Sequence, residues 1–117
     1  MLGKGPTVAI AVAEASGARL VVPRAFLVGE EVNALRRRLG EALADGVSRV
    51  VVDLRAVRYA SAQALGVLVT FLVELRRRGG DLALLGCPGH LRELFALCGL
   101  DEIFQFLETP EDSTANG

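Results

Sequence analysis

The chain has 117 residues, 51% of them hydrophobic and 23% charged, with a formal net charge of -1. That length predicts a single domain over residues 1–117 that buries about two-thirds of its unfolded-chain surface, and the lack of a basic excess excludes a nucleic-acid backbone as the main partner. Residues 1–17 hold no basic region followed by an apolar block and cleavage site. The longest apolar segment, residues 64–73, is interrupted by Gly66 and Thr70 and falls short of the roughly 18 residues of a membrane span, so a cytoplasmic location without membrane insertion is expected.

In chain order, residues 7–13 (TVAIAVA) and 18–22 (ARLVV) flank Ala15-Ser16-Gly17 and predict two strands in a hairpin. From Gly29 onward Val32, Leu35, Leu39 and Ala42 recur at helical spacing, with Glu30 and Glu31 at the positive end of the helix dipole. The run Arg36-Arg37-Arg38 points in three directions on one turn and reads as a solvated face. Gly46 marks the exit. Residues 48–54 (SRVVVDL) place three valines in a row without polar alternation, as expected of a strand covered on both faces in the middle of a sheet.

A second helix is predicted over residues 63–78, ended by Gly79-Gly80, with Arg76, Arg77 and Arg78 in its last turn. Leu65, Leu68, Leu72 and Leu75 form its packed stripe, widened by Ala64 and Phe71, and the remaining face carries Gln63, Gly66, Val67, Thr70, Glu74 and Arg77. Residues 81–86 read as a short strand. An amphipathic helix follows over 90–98, with Leu91, Leu94, Phe95 and Cys98 on one side and Gly99 as its cap. A last strand at 103–107 precedes a polar tail, residues 109–117, of flexible composition. The order predicts a mixed α/β domain in which about five strands pack against three or four helices.

The chemistry on offer is sparse. Asp53 ends a buried strand like the phospho-accepting aspartate of a receiver domain, but such a site needs a pair of acids to hold a cation and a late lysine; Glu14 stands alone, and Lys4 is the single lysine. No glycine motif cradles a phosphate. Ser61, His90 and Asp53 supply the letters of a triad without a nucleophile elbow, and His90 reads as a surface residue at a helix start. Cys87-Pro88-Gly89-His90 lacks the further ligands that zinc needs. Cys87 and Cys98 are expected as small buried hydrophobes rather than a disulfide. No enzyme activity, metal or cofactor is expected.

Across residues 50–104, VVVDLRAVRYASAQALGVLVTFLVELRRRGGDLALLGCPGHLRELFALCGLDEIF resembles the STAS family, the domain of bacterial anti-sigma factor antagonists and of sulfate-transporter tails. The carrying elements are the strand ending in Asp53-Leu54, the aromatic Tyr59 before the helix, Leu65-Gly66-Val67-Leu68 within it, Gly79-Gly80 after it, and Gly99-Leu100-Asp101 with Phe104 near the end. The opening hairpin and first helix fit as well, so the resemblance covers essentially the whole chain. Phosphorylatable members read Asp-Ser-Ser-Gly-Leu-Gly at the helix entrance, the second serine being phosphorylated by a partner kinase that is also the anti-sigma factor. Anchored on Leu65-Gly66 and Gly79-Gly80, the resemblance sets Ser61 at the aspartate, Ala62 at the first serine, Gln63 at the acceptor and Ala64 at the glycine. The acceptor hydroxyl is missing.

The resemblance implies a non-enzymatic regulator in a partner-switching circuit. Its partner would be an anti-sigma factor with a serine kinase-like domain, contacted by Ser61, Ala62, Gln63, Gly66, Val67 and Thr70. Gln63 cannot gain the near-double negative charge of a phosphoserine. Ser61 is expected to cap the helix, with phosphorylation there as the alternative. Gly66 costs about 1 kcal/mol relative to alanine, and is explained either by close packing against the sheet or by a partner approaching the backbone. Other roles compatible with the family are a structural subunit of a stress-signalling scaffold or lipid-transporter complex, and a nucleotide- or anion-binding module using the helix N-terminus. Self-association stays open, and the tail is shorter than the extra C-terminal helix of many members.

Overall fold

Valine-rich segments build the sheet that the sequence predicts, but its two faces are not equally covered. The computed structural model describes residues 10–15 and 17–108. Strands β1 (Ala11–Ala15) and β2 (Ala18–Val22) form the antiparallel hairpin. Next come β3 (Phe26–Leu27), α1 (Glu30–Ala44), β4 (Arg49–Asp53), β5 (Tyr59–Ala60), α2 (Ala62–Arg77), β6 (Asp81–Leu85), α3 (Gly89–Leu97) and β7 (Gln105–Leu107). The main sheet has the order β1-β2-β4-β6-β7, parallel from β2 onward, and β3 pairs with β5 as a separate parallel ribbon. The expected class is observed: a five-stranded mixed sheet with, among the described residues, three helices. The first strand's residues 7–9 and the tail 109–117 lie outside the described residues.

Register decides which side holds the core. Val21 pairs with Val52, Val50 with Leu82, Val52 with Leu84, and Leu84 with Phe106, so these side chains share one face. They join Leu35 and Leu39 of α1, Leu68, Leu72 and Leu75 of α2, and Leu91 and Phe95 of α3 in one cluster. Phe95 meets Phe104 and Phe106 edge-to-face, with ring centroids 5.5 and 5.8 Å apart. Val51 faces the other way and is only half-buried. The middle position of this strand is therefore as expected, whereas its coverage on both faces is not: the three helices lie on one side. Each fully buried leucine of α2 contributes about 2 kcal/mol, so this one face supplies most of the apolar stabilisation.

The ends of α2 are set by local chemistry. Ser61 has extended backbone and its Oγ accepts the Ala64 N–H at 3.2 Å, as a capping serine should. At the exit Gly79 adopts φ 86°, Gly79 N–H donates to the Arg76 carbonyl and Gly80 N–H to the Leu75 carbonyl, which satisfies the last turn's acceptors. A Cβ on Gly80 would lie against the Ser48 carbonyl, so that residue admits no side chain. Arg76 donates to the Ile103 carbonyl at 2.7 Å and to Asp81 at 2.9 Å, and Arg78 donates to the Leu43 carbonyl at 3.2 Å. These arginines bind the helix exit to its surroundings, beyond the favourable placement expected near a helix C-terminus.

Candidate functional site

The entrance of α2 is positioned by the small ribbon. Two-residue strands carry too little periodicity to be seen in sequence, yet the pairing of Phe26 with Tyr59 and of Leu27 with Ala60 brings the starts of α1 and α2 together. The Ser61 N–H donates to the Leu27 carbonyl at 3.1 Å, and the Arg58 and Tyr59 N–H groups donate to the Ala25 carbonyl at 2.7 and 3.2 Å. Leu27 and Ala60 turn inward. Phe26 and Tyr59, 57% and 54% exposed, stand side by side in solvent, with Val28 also exposed. Only aromatic content beside the helix entrance hints at this patch in the sequence.

Of the residues expected at the partner face, Ala62, Gln63, Gly66 and Thr70 are exposed and Ser61 is half-buried. Val67 departs from the expected exposed face: it is 5% exposed and belongs to the core. The periodicity of one helix cannot reveal which of its residues the other elements cover. Gln63, Gly66, Val67 and Thr70 nonetheless line an open hollow of about 410 Å³, completed by Phe71 and by Arg36 from α1. Ser61 and Ala62 lie outside that lining. Sequence pattern alone places Arg36 on a solvated face and Phe71 beside a packed stripe; only the juxtaposition of the two helices shows their shared hollow.

Gly66 answers one of the questions posed by the sequence. It is exposed, and a Cβ built on it meets nothing within 4 Å. Close packing against the sheet is thereby excluded as the reason for a glycine in mid-helix. Thr70 Oγ1 donates back to the Gly66 carbonyl at 2.9 Å, so its hydroxyl hydrogen is engaged within the helix. The adjacent Arg38 donates to the Ile10 carbonyl at 3.4 Å and pairs with Glu41 at 3.1 Å, whereas Arg36 donates to Asn33 Oδ1 at 2.9 Å. Arg36 and Arg38 thus differ in what they meet.

The remaining sequence candidates are held apart. Asp53 is 4% exposed and receives the Arg55 backbone N–H at 3.0 Å and its guanidinium at 2.7 Å. Burial pushes the Asp53 carboxyl up, but the Arg55 side-chain and backbone hydrogen bonds and its charge together outweigh this and leave the carboxyl below its ordinary range. His90 is exposed at the start of α3, and its Nε2 donates to the Arg58 carbonyl at 2.8 Å. Ser61 accepts from its own helix. Each member of the supposed triad is thus engaged elsewhere. Cys87 is half-buried, and burial pushes its thiol up to about 11. Cys98 corrects the expectation of two buried cysteines, being exposed just beyond the end of α3. Among the described residues no three acids, histidines or cysteines are grouped to hold a metal, and no helix is long and apolar enough to cross a membrane.

Residues 9–113 match the family model described as the STAS domain. A protein of Bordetella bronchiseptica named as an anti-sigma factor antagonist, BtrV, is 32% identical over 81 residues, which cover 69% of this chain and 70% of that protein. A Thermotoga maritima protein also named as an anti-sigma factor antagonist shares the fold with a TM-score of 0.80 at 19% identity, covering 92% of each chain. The Bacillus cell fate determinant SpoIIAA, solved in its phosphorylated form, superposes with a TM-score of 0.72 at 15% identity, covering 92% of this chain and 97% of that one.

Proposed function

The chain belongs to the STAS domain family, and from that premise we propose that it is a regulatory protein-binding domain of the anti-sigma factor antagonist kind. In this reading it works in the cytoplasm, performs no reaction itself, and docks a partner on the entrance and exposed face of α2. The partner is an anti-sigma factor with a serine kinase-like domain. The observation that carries the reading is Gly66. A glycine in a helix interior costs about 1 kcal/mol, and nothing in the described chain occupies the space it leaves. That opening gives a partner access to the backbone of α2, whose entrance follows a ribbon carrying two exposed aromatic side chains, Phe26 and Tyr59.

Gln63 sets the regulation. It is exposed in the first turn of α2, and in this reading, which follows the family resemblance anchored on Leu65-Gly66 and Gly79-Gly80, it stands at the acceptor position. Its amide is neutral and both donates and accepts hydrogen bonds. Phosphate at residue 63 therefore cannot release the partner, and the interface rests in its binding state. Ser61, whose Oγ is committed to the Ala64 N–H, serves as a cap in this scheme rather than as a substitute acceptor.

Affinity purification from the source cell, followed by mass spectrometry and binding measurements with the recovered protein, tests the docking half. Gly66→Leu fills the opening and is expected to weaken that complex by at least about tenfold; unchanged affinity would remove the reading. Incubation with ATP and cell extract tests the regulatory half. Stoichiometric phosphate anywhere from residue 61 to residue 70 contradicts a permanently unswitched interface.

A further inference from the structure

The groove between α1 and α2 contains an unmatched charge. β3 and β5 run parallel, and each passes into a helix within three residues, so α1 and α2 set off side by side from the ribbon. Arg36 is reached about 9 Å along α1, and Gln63 to Phe71 span about 12 Å of α2. The hollow they line has an apolar floor of Val67 and Phe71, an amide at Gln63 and open backbone at Gly66. No carboxylate lines it. Among the described residues Arg36 forms no ion pair, in contrast to Arg19, Arg38, Arg55, Arg76, Arg77 and Arg78. It donates instead to the neutral Asn33 oxygen, while the Asn33 amide donates to Glu30 at 3.3 Å, and neither Asn33 nor Glu30 belongs to the hollow's lining. A guanidinium has five N–H donors, most of which remain for a ligand.

Resting on the α2 docking reading, we propose that Arg36 is the specificity-determining residue of this surface: it reads an aspartate or glutamate that the partner presents among apolar side chains. Charge complementarity selects this occupant. A carboxylate accepts two parallel N–H bonds from a guanidinium, a geometry that lysine cannot reproduce. The Gln63 amide supplies a further donor, and the apolar neighbours of the incoming acid cover Val67 and Phe71. A basic partner surface meets repulsion at the same point, so the groove discriminates as well as attracts.

The test uses the partner purified through the wild-type chain, with titration calorimetry at low and high salt for the wild type, Arg36→Lys, Arg36→Glu and Gly66→Leu, each first checked for folding by circular dichroism. Arg36→Glu is expected to weaken binding about tenfold or more and Arg36→Lys by a lesser factor, with a shallower salt dependence in the Glu variant. Reversal of one acidic residue of the partner to lysine should restore affinity for Arg36→Glu. If Arg36→Glu binds within twofold of wild type while Gly66→Leu does not bind, the docking reading stands and the role of Arg36 is overturned. If neither variant weakens binding, the docking reading falls with it. Self-association of the wild type in sedimentation, abolished by Arg36→Glu, would also overturn the proposal, because the occupant would then be a second copy of the chain.

Discussion

Gly66 and Gly80 stand fourteen residues apart, near opposite ends of α2, and they are there for opposite reasons. At Gly80 a methyl group would drive into the Ser48 backbone, and the surrounding donors and acceptors are committed: Asp81 N–H donates to that same Ser48 carbonyl at 2.9 Å, and Arg76 and Arg78 reach across to Ile103 and Leu43. At Gly66 a methyl group would meet nothing. One glycine is required by the fold, and the other is a concession that the folded chain does not need. The difference separates the end of α2 that holds the molecule together from the end that is available to another molecule.

Substitution can sharpen or break that contrast. The largest expected effect is at the exit: Gly80→Ala should lower the unfolding free energy by about 3 kcal/mol, since backbone rather than a flexible side chain blocks the new atom; urea denaturation measures it, and a loss under about 0.5 kcal/mol would refute the close approach. Ser61→Ala should cost about 1 kcal/mol in the same assay through loss of the cap. Gly66→Ala carries the opposite sign. It is expected to raise stability by up to about 1 kcal/mol through helix propensity while weakening the partner complex, and a loss of stability would show that the space is not free. The smallest effect concerns Asp53, the last residue of β4. Its carboxyl is held below the ordinary range in the folded chain, so its contribution is complete above that range and disappears as pH falls through the lowered value. Urea midpoints measured from about pH 5 to about pH 3 should fall less steeply in Asp53→Asn than in the wild type.

Legibility in the sequence follows the range of the interactions involved. The valine run of β4, the leucine stripe of α2 and the Ser61 cap are local patterns, and each lies within a residue or two of its predicted place. Features made by two distant segments are hidden. β3 and β5 are too short for periodicity and exist through each other. Val67 fits an exposed face of α2 when that helix is considered alone, yet it belongs to the core of the folded chain. Cys98 continues the apolar side of α3 in register, but the helix ends at Leu97 and leaves the thiol in solvent. The site is legible to the extent that it lies on one helix: Gln63, Gly66 and Thr70 form a face in the sequence pattern, whereas Arg36 joins them only once two helices are placed side by side.

The bond from the Ser61 N–H to the Leu27 carbonyl ties the start of α2 to a segment far away in the chain. The proposed recognition surface is consequently a discontinuous epitope. A synthetic peptide copying residues 59–77 would carry the letters of the helix but neither the ribbon that fixes its entrance nor the α1 arginine beside it. Antibodies raised on such a peptide, or inhibitors patterned after it, would address a different shape from the one that the intact chain displays.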